Sequence, residues 1–152
     1  SLMKRCFQSG FSFIEVMIGV VIISVAAYGM VLSATHARGV LRALAIKERA
    51  VDELTGYVEH MKGRIADGNL TLTEKSGDFM GETVFLYGND NSDVKIPAKI
   101  YYENITPVYT DSVSYIDRYL LHAWIEWEDF STPKTKFTKR AEIEMVMLEF
   151  PQ

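Results

Sequence analysis

The sequence predicts an α+β protein in which one long N-terminal helix packs on a C-terminal antiparallel sheet. Three observations predict it. Apolar residues crowd the first quarter almost without interruption, the next stretch spaces them at helical intervals, and the last third alternates apolar with polar. With 152 residues, 48% of them hydrophobic and 24% charged, the chain suits one domain of ordinary size.

The helix has two halves. From Phe11 to Thr35 the only formal charge is Glu15. About 20 apolar residues, rising about 1.5 Å each, cross a bilayer core of about 30 Å. The run Val16 to Ile23 has no polar face, which marks a helix surrounded by lipid or by other helices. The rest of the chain is too small to wrap it, so residues 11–35 read as a transmembrane half. An ordinary cleaved secretory signal fits less well, because its apolar region is shorter.

Beyond Thr35 the pattern changes. Val40, Leu44, Val51, Leu54, Val58, Met61 and Ile65 recur at spacings of three, four or seven, with charges mostly between them. That is an amphipathic helix with one apolar stripe, placed at residues 36–66. No proline interrupts Phe11 to Ile65, so the two halves form one helix, near 80 Å long at about 1.5 Å per residue. Gly56 and Gly63 weaken it by about 1 kcal/mol each relative to alanine. Asp67-Gly68-Asn69 stops it.

Residues 70–93 are punctuated by Gly77, Gly81 and Gly88 and read as loop-rich. The sheet is expected over residues 82–150. One strand is placed from Glu82 to Tyr87 and another from Ala98 to Glu103, with Pro97 at its start or on an edge. The clearest strands come last. Leu121, Ala123, Ile125 and Trp127 alternate with His122, Trp124, Glu126 and Glu128, and Ala141, Ile143, Met145 and Met147 share one face of the final strand. Asp129 to Thr138 forms the loop between them. The apolar sheet face needs a cover, and the stripe from Val40 to Ile65 is available.

Composition excludes several function classes. The net charge is −4 and no basic stripe stands out, so direct nucleic-acid binding is not expected. A single cysteine, Cys6, forbids an intrachain disulfide. His36, His60 and His122 lack ligand spacing, so no metal is expected there. Asp90-Asn91-Ser92-Asp93 clusters oxygen ligands but lacks the glycine and distal glutamate of a calcium loop, and reads as a solvated turn. No nucleophile–base pair can be assembled, and Glu126, Glu128, Glu142 and Glu144 read as a solvated sheet face and not an acid–base pair. No cofactor and no enzymatic activity are expected. The tyrosines Tyr101, Tyr102, Tyr109, Tyr115 and Tyr119 fit a contact surface or sheet packing equally well.

The most informative stretch runs from Lys4 to Ile18: a basic pair, Lys4-Arg5, then Gly10-Phe11, then Glu15, then the apolar helix. It closely resembles the prepilin signal of type IV pilins and of the pseudopilins of type II secretion. The resemblance implies a leader, residues 3–10, that a membrane prepilin peptidase removes by cutting after Gly10. It implies N-methylation of the new N-terminus, Phe11. It implies that Glu15 neutralises the freed amine of a neighbouring subunit as a filament grows. The electrostatics agree, because a carboxylate in a bilayer helix is costly and seeks a partner, and apposed charges attract strongly in low dielectric. Ser1 and Leu2 precede Met3, which reads as the natural start, and are set apart as a cloning remnant.

The resemblance further implies a pilin-like fold, a single-pass protein of the inner membrane with its leader cytoplasmic and residues 36–152 periplasmic, and transfer into a pilus or pseudopilus. The basic residues alone do not orient the span, since Arg38, Arg42, Lys47 and Arg49 follow it. Leu32 stands where major pilins often carry proline, and their C-terminal disulfide cannot form here, which points to a minor pilin or pseudopilin. Expected partners are the prepilin peptidase, sister pilin or pseudopilin subunits, and membrane lipid. The rival reading is a single-span anchored periplasmic binding or adhesion module that does not polymerise.

Overall fold

The computed structural model describes residues 10–113, 116–129 and 137–150. The expected leader residues up to Ser9, Tyr115 and most of the loop between the last two strands lie outside them. The chain divides into two units, residues 1–41 and 42–152.

Helix α1 runs from Phe13 to Ala66, one helix as its proline-free sequence predicts. Gly10, Phe11 and Ser12 precede it without helical structure. Its first half buries nothing against the described chain. Phe11 and Phe13 are 81% exposed, and the large apolar side chains from Ile14 to Leu32 are all open. Two of its hydroxyls bond back to the helix: Ser24 Oγ donates to the Val20 carbonyl at 2.8 Å and Thr35 Oγ1 to the Leu32 carbonyl at 2.8 Å. Such back-bonding lets a hydroxyl sit in an apolar medium without an orphan donor.

In the second unit α1 presents Ala50, Leu54, Val58, Met61 and Ile65 to the core. The expected stripe from Val40 is therefore corrected: Val40, Leu44 and Val51 stay exposed, and Ile46 is the earliest helical residue packed against the core. Successive helical residues differ by about 100°, so Val51 swings off the line that Ala50 and Leu54 follow. The helix ends where Gly68, at φ 67°, enters the left-handed region. Its N–H donates to the Ile65 carbonyl at 3.0 Å and that of Asn69 to the Arg64 carbonyl at 3.0 Å, a Schellman closure.

A one-turn helix, α2 (Leu72–Lys75), follows, with a capping box formed by Thr71 and Glu74. The T-x-x-E spacing was a readable signal in a stretch expected to be loop. Then come β1 (Asp78–Tyr87), β2 (Ile96–Tyr102), β3 (Thr106–Asp111), β4 (Ile116–Asp129) and β5 (Phe137–Glu149). The sheet thus begins before Glu82, and β3 is an addition to the expected strands. All neighbours pair antiparallel. β4 is the spine. One of its edges carries β2 at Ala123–Trp127 and β3 at Ile116–Leu120, and its other edge carries β5 from end to end. Pro97 is tolerated in β2 because the ladder with β4 starts only at Ala98.

The strand faces follow the alternation. Leu121, Ala123, Ile125, Trp127 and Met147 are buried together with Ala98 and Ile100 and the helical residues from Ala50 to Ile65. Tyr102 is 5% exposed, and its hydroxyl donates to the Glu74 carbonyl at 2.8 Å. The Ile105 N–H donates to the Lys75 carbonyl at 2.8 Å, and Arg64 meets Glu74 at 2.7 Å. These contacts pin α2 between the end of α1 and the end of β2.

Candidate processing and assembly site

The residues singled out in the N-terminal motif lie at the start of α1. Gly10 is exposed, and a Cβ built there would meet nothing within 4 Å. The described fold therefore places no steric demand for glycine at that position. Phe11 is equally open. The Ser12 carbonyl accepts from the N–H groups of Glu15 at 2.9 Å and Val16 at 3.2 Å, which starts the helix. Glu15 falls in the first turn, where the helix dipole favours a carboxylate. It is exposed and makes no ion pair with any described residue.

The sheet domain offers a different kind of surface. On its outer face Tyr101 stacks on Trp124, ring centroids 5.7 Å apart, and Arg140 lies 4.5 Å from the Trp124 ring centroid. Arg140 also reaches Glu142 at 3.1 Å. His122 stands between two carboxylates, Nδ1 3.4 Å from Glu103 and Nε2 3.3 Å from Glu142. Glu142 thus partners both His122 and Arg140, and in the strand register Glu126 lies opposite Arg140 and Glu144 opposite His122. Sequence reasoning did not foresee this aromatic and ionic ladder, although the period-two pattern had put His122 with Trp124 on one face of their strand and Glu142 with Glu144 on one face of theirs.

The tyrosine tract divides. Tyr101 faces outward with Trp124, whereas Tyr102 and Tyr119 pack with the core. Tyr109 belongs to β3, and its side chain is not among those described. Burial pushes the Tyr57 and Tyr102 hydroxyls up in pKa, aided for Tyr57 by Tyr102, Glu82 and Asp78, and for Tyr102 by Asp78 and Glu74. Burial also pushes Tyr119 up to about 12, reinforced by its hydrogen bond to Glu149 and the nearby charges of Glu149 and Asp117. Glu74 moves the other way: the Thr71 backbone N–H first, then Arg64, hold its carboxyl below the ordinary range.

Asp90 to Asp93 forms a solvated turn. The Asn89 carboxamide accepts from the Asn91 N–H at 3.0 Å and from Ser92 Oγ at 2.9 Å, and Lys95 reaches Asp90 at 3.2 Å. Among the described residues no group of His, Cys, Asp and Glu could hold a metal ion. His36 and His60 lie on α1 and His122 on β4.

Residues 5–31 match the family pattern described as the prokaryotic N-terminal methylation motif. The match takes in Gly10, Phe11 and Glu15 and runs into the apolar half of α1. None of the curated proteins and none of the solved structures compared with the chain matches it. The motif implies processing by a prepilin peptidase and assembly with pilin subunits, and the apolar helix is consistent with membrane anchoring. The chain carries the prepilin-type methylation signal, and its long N-terminal helix followed by an antiparallel sheet is the α+β arrangement of a pilin-like protein.

Proposed function

We propose that this chain is a structural subunit, a minor pilin or pseudopilin, of a type IV pilus or a type II secretion-like filament. The prepilin peptidase cuts after Gly10, Phe11 becomes the N-methylated terminus, and Glu15 receives the terminal amine of a neighbouring subunit. One observation carries the reading: a methylation motif over residues 5–31 leads into a helix whose apolar side chains are open and whose one early charge has no described partner.

The physical logic is complementarity between copies. Removing the leader exposes an amine near the depth of Glu15, and two opposite charges in a low-dielectric surround attract far more strongly than in water. Like α1 halves then cover one another's apolar surface, which the chain alone leaves bare. The sheet domain faces outward, on the periplasmic side. In this reading the chain does no chemistry of its own, since the cut and the methyl transfer belong to the peptidase.

Mass spectrometry of the protein from peptidase-positive cells tests the first step. The expected N-terminus is Phe11 carrying one methyl group, and an intact leader in such cells sinks the proposal. Glu15→Ala tests the second. The variant is expected to reach the membrane and stay out of filaments, whereas an anchored module that never polymerises would keep its function.

A further inference from the structure

We propose that Arg38 and Arg42, on α1, bind the phosphates of anionic phospholipid headgroups at the end of the apolar stretch remote from Glu15. The inference rests on the membrane-anchored reading above and adds a ligand class to it.

No Asp, Glu, Lys or Arg stands between Glu15 and Arg38. At about 1.5 Å per residue that interval rises about 34 Å, just beyond a hydrocarbon core of about 30 Å. The next charged residue is Arg42, four positions on along a continuous helix. Residues at that spacing share a face, and a like-charged pair there is destabilising by itself. Helical neighbours offer no relief. The positions three and four residues either side hold Ala34, Thr35 and Leu41 around Arg38, and Gly39, Ala45 and Ile46 around Arg42.

Three of the four later Lys and Arg residues on α1, all but Lys47, have an acidic partner. Arg49 pairs with Glu53 at 2.6 Å, Lys62 with Glu59 at 3.7 Å, and Arg64 with Glu74 at 2.7 Å. Among the described residues neither Arg38 nor Arg42 has such a partner, and both are exposed. Their counter-charge comes from outside the described residues.

Position and chemistry favour phosphate. Helical side chains lean toward the N-terminus, so both guanidiniums tilt back toward the apolar stretch. Their stems lie along apolar surface while the heads reach the headgroup layer, about 5–8 Å deep on each side. A guanidinium fork matches two phosphate oxygens, which an ammonium cannot do. This also explains why basic residues follow the span, against the usual bias: they serve as ligands for lipid.

The test uses the full chain in nanodiscs at one copy per disc. The discs are phosphatidylcholine with a trace of spin-labelled phosphatidylglycerol or spin-labelled phosphatidylcholine. Electron spin resonance reads the fraction of each label held at the protein. The wild type should hold phosphatidylglycerol over phosphatidylcholine by about threefold or more, within the roughly fivefold that each arginine near an anionic surface can supply. Arg38→Gln/Arg42→Gln should bring the two labels to parity, and Arg38→Lys/Arg42→Lys should fall between. Parity in the wild type overturns the proposal, as does selectivity that survives in the glutamine variant. So does a carbodiimide cross-link, in discs holding two copies and phosphatidylglycerol, from Arg42→Lys to a carboxylate of the second copy. Insertion without selectivity refutes only the lipid site, whereas failure to insert sinks the anchored reading too.

Discussion

The two halves of α1 share one backbone and one helical geometry, yet they answer to different surroundings. In the second half, Ala50, Leu54, Val58, Met61 and Ile65 lie under the sheet, and charged residues occupy the remaining faces. In the first half, apolar side chains cover every face and none is buried by the described chain. Intramolecular packing therefore explains why the second half is amphipathic and says nothing for the first. A helix greasy all round must find its cover in lipid or in other helices. The difference teaches that one continuous element can carry an internal core contact at one end and an apolar surface left for its surroundings at the other.

The largest effect should come from removing the charge in the bare half. Glu15→Ala is expected to bring filament incorporation down to background while urea unfolding of the sheet domain moves by no more than about 0.5 kcal/mol. A shift in domain stability, or normal incorporation, would blur the division between the halves. Next comes a paired truncation. Leu54→Ala, at a fully buried position, should cost about 2–5 kcal/mol, whereas Ile22→Ala, at a site 62% exposed, should leave the domain unchanged. Unfolding of the full chain in detergent, followed by tryptophan fluorescence, reads both. Equal losses would break the comparison.

A smaller effect sharpens where the covered half ends. Gly68→Ala puts a side chain at φ 67° and should cost about 1 kcal/mol, a strain visible in the same titration. The smallest effects concern proton linkage in the groups that clasp the helix end. Glu74 has a lowered folded pKa, so its contribution is present above the ordinary carboxyl range and is lost as pH falls through the folded value. Glu74→Gln should flatten that acid limb of melting temperature against pH. Tyr119 is raised to about 12, so its neutral form stabilises the fold at and below the ordinary tyrosine range. That contribution fades as pH climbs from about 10 toward 12, and Tyr119→Phe should remove the fading.

Much of this was legible from residue order. The lack of proline kept α1 unbroken, and Gly68 ended it through a backbone angle that glycine adopts freely. The alternation from Leu121 to Glu128 and from Ala141 to Leu148 assigned faces to β4 and β5 without error, because a strand's side-chain period is two. Other features were hidden. β3 is short, carries Pro107 and has a register shift beside it, so its pattern is broken. The ladder of Tyr101, Trp124, Arg140, Glu142 and His122 needed the strand register to bring β2, β4 and β5 side by side. Of the N-terminal site, the spacing of Gly10, Phe11 and Glu15 was readable at once, since it is a local pattern within six residues.

Residue order alone determined the helix, its uncharged stretch, the motif ahead of it and the inward faces of the last two strands. Each of these depends on neighbours within a turn or a strand, where local sterics and periodicity decide. Only the tertiary structure decided where the apolar stripe gains cover, which tyrosines turn inward, and which acids answer which bases. Those outcomes depend on how far the sheet extends along α1 and on which strands meet, and contacts between distant residues leave no periodic trace in the chain.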